Sequence, residues 1–197
     1  MTIFDEIVLA TGNKGKVKEF AGLLHGIAGK IIGLGDLESP PEVVEDGDTF
    51  MENALKKARA IASYSGKLTL ADDSGLVVDA LGGRPGVYSA RYAGENATDG
   101  TNIDKLLGEI GGAENRKARF VCFLALVTPE GEEIVVGGEC EGVILTERRG
   151  SGGFGYDPVF YLPEYGKTMA EISPDIKNKI SHRARAAEAL TALLKDK

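Results

Sequence analysis

The sequence predicts an α/β protein, an elongated mixed β-sheet flanked by helices. Three observations carry that reading. Short β-branched apolar runs alternate with helical periodicity in the first third of the chain, the pattern of βα units. Two long β-rich runs, 118–128 and 132–142, are separated only by Pro129-Glu130-Gly131 and read as an antiparallel hairpin. The chain then closes on a helical repeat of Ala184, Ala187, Leu190 and Leu194. Early βα units combined with a late hairpin imply a sheet of mixed strand direction.

Each element has a local cause. Ile7-Val8-Leu9-Ala10 is a strand that stops at Thr11-Gly12-Asn13, and Val17, Phe20, Ala21 and Leu24 then recur at helical spacing. Ile31-Ile32 marks a second strand, and Ser39-Pro40-Pro41 breaks the chain. Thr49 and Glu52 have capping-box spacing ahead of Phe50, Ala54, Leu55, Ala58 and Ile61, so a helix is expected from about Thr49 to Ser65. Leu68 to Ala71 is a strand, Val77-Val78 another short one, and Gly82 to Gly86 a loop. Residues 98–110 have helical spacing, Pro158-Val159-Phe160-Tyr161 returns to strand, and Ser181 is placed to cap the last helix. With 197 residues and 43% hydrophobic content, a single domain over 1–197, its two lobes sharing a central sheet, has enough apolar material for a core.

Charge and cysteine usage narrow the partners. A net charge of -7 argues against a nucleic-acid or membrane-surface protein, since such surfaces need a basic face. A small anionic substrate remains open wherever basic residues cluster. Cys122 and Cys140 lack metal-ligand spacing and read as buried free thiols in a reducing compartment. The chain shows no basic n-region and no run of ~18 apolar residues, so a soluble cytoplasmic protein is expected.

Five segments carry chemistry. In Leu68-Thr69-Leu70-Ala71-Asp72-Asp73-Ser74-Gly75 an apolar run ends in two carboxylates, a hydroxyl and a glycine. Carboxylates fixed at an exposed strand end can hold a divalent cation and leave an oxygen to deprotonate water. Thr11-Gly12-Asn13-Lys14-Gly15-Lys16 lies at a strand-to-helix junction, where backbone N–H groups, the helix dipole and two lysines favour an anion. If the acidic stretch Glu45-Asp46-Gly47-Asp48 meets Asp73, it supplies the second carboxylate of a magnesium site, with Asn53 and Lys57 projecting from one helix face toward phosphates. Gly152-Gly153-Phe154-Gly155-Tyr156-Asp157-Pro158 offers close backbone approach, an aromatic face for a planar base and an acceptor for ring N–H groups. Further on, Lys177-Asn178-Lys179-Ile180-Ser181-His182-Arg183 sets His182 and Arg183 against the positive end of a helix dipole, which suits an acceptor-rich ligand.

Taken in order, and with Thr49-Phe50-Met51-Glu52-Asn53-Ala54 and Gly86-Val87-Tyr88-Ser89-Ala90-Arg91-Tyr92, these segments make the chain resemble the inosine triphosphate pyrophosphatase family, the Ham1-like nucleoside triphosphate pyrophosphohydrolases. The resemblance spans essentially the whole chain. It implies an ITPase-like (Ham1/Maf-like) fold and magnesium-dependent hydrolysis of ITP, dITP and XTP to the monophosphate and pyrophosphate, cleansing the nucleotide pool. By the same resemblance Thr11, Gly12, Asn13, Lys14, Gly15 and Lys16 bind the triphosphate, Asp73 is proton acceptor and metal ligand, and Ser74 contacts substrate. Phe154, Gly155, Tyr156, Asp157, Lys177, His182 and Arg183 are the implied base-recognition set. Glu45 is the implied second metal ligand, with Asp46 as its alternative, and a homodimer is implied. A Maf-like pyrophosphatase for modified pyrimidine triphosphates and a non-catalytic nucleotide-sensing or nucleic-acid-binding module are the alternatives.

Overall fold

The computed structural model describes residues 2–196; Met1 and Lys197, the ends of the expected 1–197 domain, lie outside the described residues. The elements are β1 (Phe4–Leu9), α1 (Lys14–Leu23), β2 (Ala28–Ile32), α2 (Phe50–Ser65), β3 (Thr69–Val78) and α3 (Asp99–Ile110). They continue with β4 (Lys117–Val127), β5 (Glu133–Ile144), β6 (Phe160–Leu162), β7 (Lys167–Thr168), α4 (Pro174–Ile180) and α5 (His182–Lys195). The strands hydrogen-bond in the order β2-β1-β3-β4-β5-β6-β7. β1 runs parallel to β2 and β3, while β5, β6 and β7 pair antiparallel. β4 and β5 are joined through a turn closed by Thr128 and Glu132, far too short for the crossover a parallel pair would need. The mixed sheet flanked by helices is thus the one the sequence predicts.

The chain forms two compact units. The first gathers the chain up to Asp73, Cys122–Gly138 and the chain from Arg183 on; the second holds Ser74–Val121 and Glu139–His182. Within the first unit the period of two along a strand sorts side chains into two layers. Ile7 and Leu9 of β1, Leu70 of β3, and Cys122, Leu124 and Leu126 of β4 pack with Phe20 and Leu24 of the α1 segment and Ala186, Ala187 and Leu190 of α5. Their neighbours Val8, Ala10, Ala71, Ala125 and Val127 pack instead with Ala54, Ala58, Ile61 and Ala62 of α2. Helix α2 starts where the capping box predicts, with Thr49 accepting from Glu52 N–H and Glu52 reaching back to Thr49 N–H.

The second unit has one apolar layer. Ile103, Leu106 and Ile110 of α3 meet Leu76 and Val78 of β3, Phe120 of β4, Ile144 of β5 and Phe160 and Leu162 of β6. Phe120 and Phe160 are 4.3 Å apart between ring centroids. Among the described residues no helix is long and apolar enough to cross a membrane.

Two expectations need correction. Asp72-Asp73-Ser74-Gly75 is not a strand end, and Val77-Val78 is not a separate strand, because β3 runs unbroken from Thr69 to Val78. The turn preference of Asp, Ser and Gly is overridden because side chains of the flanking helices, Lys16 for Asp72 and Asn53 for Asp73, bond the carboxylates while the backbone stays in the sheet. Residues 174–180, unassigned from sequence, form α4: Ser173 caps it by accepting from Ile176 N–H, and Pro174 occupies its first position. Ser181 closes α4, its N–H bonded to Lys177 O, and α5 begins immediately after it.

Two tyrosines hold the second unit together through their hydroxyls. Tyr156 OH donates to Ser89 O at 2.6 Å, and Tyr92 OH donates to Glu109. Burial, reinforced by the Glu109 bond, pushes the Tyr92 hydroxyl up to about 12, and burial pushes Tyr156 up as well. An unfolded chain ionises tyrosine near ~10, so the fold favours the neutral form; the stability gained is whole below that pH and lost as pH climbs from about 10 toward 12. The urea midpoint should therefore fall steeply above pH ~10, and Tyr156→Phe should flatten the fall. An equal alkaline slope in wild type and variant would show that Tyr156 ionises without cost.

Candidate active site

The alternation that sorts the core also separates the two adjacent aspartates. Asp72 shares the side of Leu70 and meets charges from α1 and α5; Asp73 shares the side of Ala71 and meets α2. The acidic pair therefore cannot act as one exposed chelate, as a strand-end reading suggested. Each carboxylate has its own surroundings.

Asp72 is 2% exposed. Lys16 Nζ lies 3.0 Å from its Oδ2, and Arg183 Nε lies 3.6 Å from the same oxygen. Arg183, itself buried, also lies 3.7 Å from Glu19 through Nη1. Burial alone would raise the Asp72 carboxyl, but Lys16, Arg183 and Lys57 outweigh it and hold the group well below the usual carboxylate range. The Arg183 guanidinium is buried, which disfavours its charge, yet Asp72 and Glu19 raise its pKa. Asp72 is in this way a permanently charged anchor for two cations, one from the glycine loop and one from α5.

Asp73 is 8% exposed and moves the other way. Burial pushes its carboxyl up to about 6, aided by the like charges of Glu45 and Asp72 and opposed by Lys57 and a hydrogen bond from Asn53. The i to i+4 spacing of Asn53 and Lys57 delivers both to this place. Lys57 Nζ stands 3.0 Å from Glu45 Oε1 and donates to Asp72 O at 2.6 Å. Asn53 Oδ1 accepts from Gly47 N–H at 2.8 Å, folding the acidic stretch back onto α2; a Cβ on Gly47 would sit 2.7 Å from that oxygen. Asp46 turns away to pair with Lys56, so Glu45 is the acidic residue beside Asp73.

Glu45 and Asp73 suit a hard divalent cation. Both offer oxygen only, they repel each other, and a cation would relieve that repulsion. Among the described residues no group of three or more His, Cys, Asp or Glu gathers. Two carboxylates are nonetheless what magnesium takes when it keeps several waters and shares substrate phosphates.

The glycine loop is closed by its own cap. Asn13 Oδ1 accepts from Gly15 N–H at 2.8 Å and Lys16 N–H at 3.2 Å, and Asn13 N–H bonds to Thr11 Oγ1. Those amides are already engaged, so the cationic character of the loop rests on Lys14, Lys16 and a first helical turn without acidic residues.

The second unit brings together Phe154, Asp157 and Lys177. Asp157 is buried, and its Oδ2 accepts from Lys177 Nζ at 2.5 Å and from Phe154 N–H at 3.1 Å. Lys177 Nζ also stands 4.6 Å above the centroid of the Phe154 ring, which is 52% exposed. Gly153 has φ +70°, and a Cβ there would come 2.0 Å from Asp157 Oδ2, so only glycine lets this cluster close. Tyr156 is buried rather than presented, while His182 is buried and stacks on Phe120 with centroids 5.0 Å apart. Ser74 follows Asp73 along β3, half-buried.

Sequence reasoning did not single out Glu19 or Asp99, which accepts from Gly155 N–H at 2.8 Å. Glu19 had a signal in its i+3 spacing from Lys16 on α1. Asp99 had none beyond standing at a helix start.

The family model of the Ham1 family matches residues 7–193. This chain belongs to the Ham1 family. It is 54% identical over 188 residues to the dITP/XTP pyrophosphatase of Shouchella clausii, covering 94% of each chain. To the dITP/XTP pyrophosphatase of Geobacillus kaustophilus it is 56% identical over 187 residues, covering 94% of this chain and 92% of that one. The solved Staphylococcus aureus Ham1 protein superposes with a TM-score of 0.90 at 44% identity, covering 98% of this chain and 99% of that one.

The Asp72 network yields a stability prediction. Asp72→Asn leaves Arg183 buried without its principal counter-charge and should cost about 3–5 kcal/mol, the range for breaking a buried ion pair from one side. Lys16→Met removes a partly exposed cation and should cost well under half of that. Urea unfolding of both variants checks the order, and equal losses would show that Asp72 is not the anchor.

Proposed function

We infer that this chain hydrolyses deaminated purine nucleoside triphosphates (ITP, dITP and XTP) to the monophosphate and pyrophosphate. The observation that supports this most is the divided acidic pair: Asp73 is more basic than an ordinary carboxylate and stands with Glu45, while Asp72 pins the loop lysine. The relatives' printed name, dITP/XTP pyrophosphatase, supports the choice of substrate. The family's chemistry calls for a divalent cation, and we assign magnesium, held by Glu45 and Asp73. Bound there, it would neutralise triphosphate charge and polarise a phosphoryl oxygen.

The chain's own groups do the rest. Lys16, oriented by Asp72, and Lys14 offer positive charge to the phosphates. Asp73 accepts a proton from the attacking water, whose oxygen joins a phosphorus as the phosphoanhydride bond between the α and β phosphates breaks. Asn53 and Lys57 hold Asp73 and Glu45 in place. Thr11, Gly12, Asn13, Gly15 and Ser74 line the phosphate end, and Phe154, Gly155, Tyr156, Asp157, Lys177, His182 and Arg183 form the base-reading set, Arg183 acting through its pairing with Asp72. Hypoxanthine and xanthine present a carbonyl at C6 and an N1–H; adenine presents an amino group and a bare nitrogen. Donors built for the carbonyl are left unpaired by adenine, the kind of mismatch that discriminates strongly.

We further propose one functional domain, a homodimer, a cytoplasmic location and no nucleic-acid partner. Tyr88, 56% exposed with Arg91 5.2 Å above its ring, supports the dimer, since aromatics with arginine are enriched at interfaces. Cys122 and Cys140, both buried and neither in a disulfide, support a reducing compartment, and the net charge of -7 argues against nucleic acid.

Pyrophosphate release from ITP, XTP, ATP and GTP, with and without magnesium, tests the reading, and similar specificity constants on all four would replace it with a general nucleotide pyrophosphatase. Asp73→Asn should lower turnover at least ~10²-fold with little change in urea midpoint. Lys16→Ala should depress ITP and ATP hydrolysis alike, whereas Phe154→Ala should narrow the ratio between them. A monomeric mass by light scattering at micromolar concentration would refute the dimer.

A further inference from the structure

The loop that presents Phe154 is tied down at consecutive residues, all within the second unit. Phe154 N–H is held by Asp157 Oδ2 at 3.1 Å, Gly155 N–H by Asp99 Oδ2 at 2.8 Å, and the Tyr156 hydroxyl by Ser89 O at 2.6 Å. Asp99 opens α3. The other end of the glycine-rich stretch is fixed to the same helix, because Arg148 Nη2 donates to Gly100 O at 2.9 Å and to Asp104 Oδ1 at 2.7 Å. Gly155 takes φ +60°, a left-handed conformation that favours glycine. The consequence is a loop tied on both sides to the N-terminal part of one helix while its aromatic ring stays exposed.

We propose that Asp99 is a positioning residue for base selection: by holding Gly155 N–H it fixes the plane of the Phe154 ring and, through the shared Asp157, the position of the Lys177 ammonium against that ring. The inference rests on the reading of this loop as the base-recognition element. A planar base stacks well only on a ring of fixed tilt, and a loop released at Gly155 must be ordered again each time a base binds. Asp99 as a mere partner of the helix dipole is the competing explanation, and the two differ over asparagine. Asp99→Asn keeps an acceptor oxygen for Gly155 N–H but gives up the charge; Asp99→Ala gives up both.

Hydrogen exchange of peptides spanning 152–157, without nucleotide, and steady-state kinetics on ITP and ATP with magnesium test it on the full chain. Asp99→Ala should speed exchange in that segment and raise KM for ITP about tenfold, the scale of one charge-assisted hydrogen bond, with kcat within about twofold. The constants for ATP should hold, so the ITP-to-ATP ratio narrows, and Asp99→Asn should restore both exchange and ratio. A general loss of folded enzyme would instead lower kcat on both substrates in proportion. Unchanged exchange in Asp99→Ala, a parallel loss on ITP and ATP, or failure of Asp99→Asn to rescue would overturn the proposal. Wild-type enzyme that treats ITP and ATP alike would overturn the functional reading instead, and the exchange measurement would still decide whether Asp99 holds the loop.

Discussion

The site depends first on the two-residue period of β3. Neighbouring side chains on a strand face opposite ways, so two consecutive carboxylates are sent to different helices and acquire different acidities. Asp72 is drawn to Lys16 and Arg183 and kept ionised; Asp73 is drawn among Asn53, Lys57 and Glu45 and made more basic. Pairs of titratable groups pushed apart in this manner mark acid–base assignments in general. Here the separation needs no exotic chemistry. It follows from buried strand geometry, two lysines and one arginine.

Burying so much charge is costly unless opposite charges stand close by, and Asp72, Lys16, Arg183 and Glu19 offset one another at 3.0 to 3.7 Å. Lys57 shows the economy of the arrangement: one ammonium faces the Glu45 carboxylate and the Asp72 carbonyl, and its field reaches both aspartates. Gly47 and Gly153 play matching parts in the two units. Each stands where a Cβ would collide with a polar side-chain oxygen, Asn53 Oδ1 in one case and Asp157 Oδ2 in the other. Close backbone approach is what lets a short loop supply polar contacts without a long side chain.

Much of the architecture was legible in the sequence. The run Ile7 to Ala10, the Thr49–Glu52 box and the hairpin turn at Pro129 each had a local cause that the fold left intact. Legibility failed where long-range charge outweighed local preference. Asp-Asp-Ser-Gly reads as a turn because its side chains can serve their own backbone, but in β3 they are served by helices distant in sequence. α4 was missed because seven residues show too little periodicity, although Ser173-Pro174 was a usable start signal. The segments with candidate chemistry were visible as segments; which oxygen faces which cation was not. That information lies in packing between elements, as Glu45 and Asp46 illustrate: these adjacent residues pair with different lysines of α2, Glu45 with Lys57 and Asp46 with Lys56.

The chain order of the two units has a consequence for synthesis. The first unit is assembled from three separated stretches and receives α5 last, whereas the second is complete once His182 has been made. Domains fold as they emerge from the ribosome, and a unit lacking its final helix must wait. Until Arg183 and the apolar side of α5 arrive, the nascent first unit lacks one of the cations that lower Asp72, and Ile7, Leu9 and Leu70 are covered from α1 but not yet by Ala186, Ala187 and Leu190. Arg183, the first residue of the first unit's last stretch, therefore completes the Asp72 network late in synthesis.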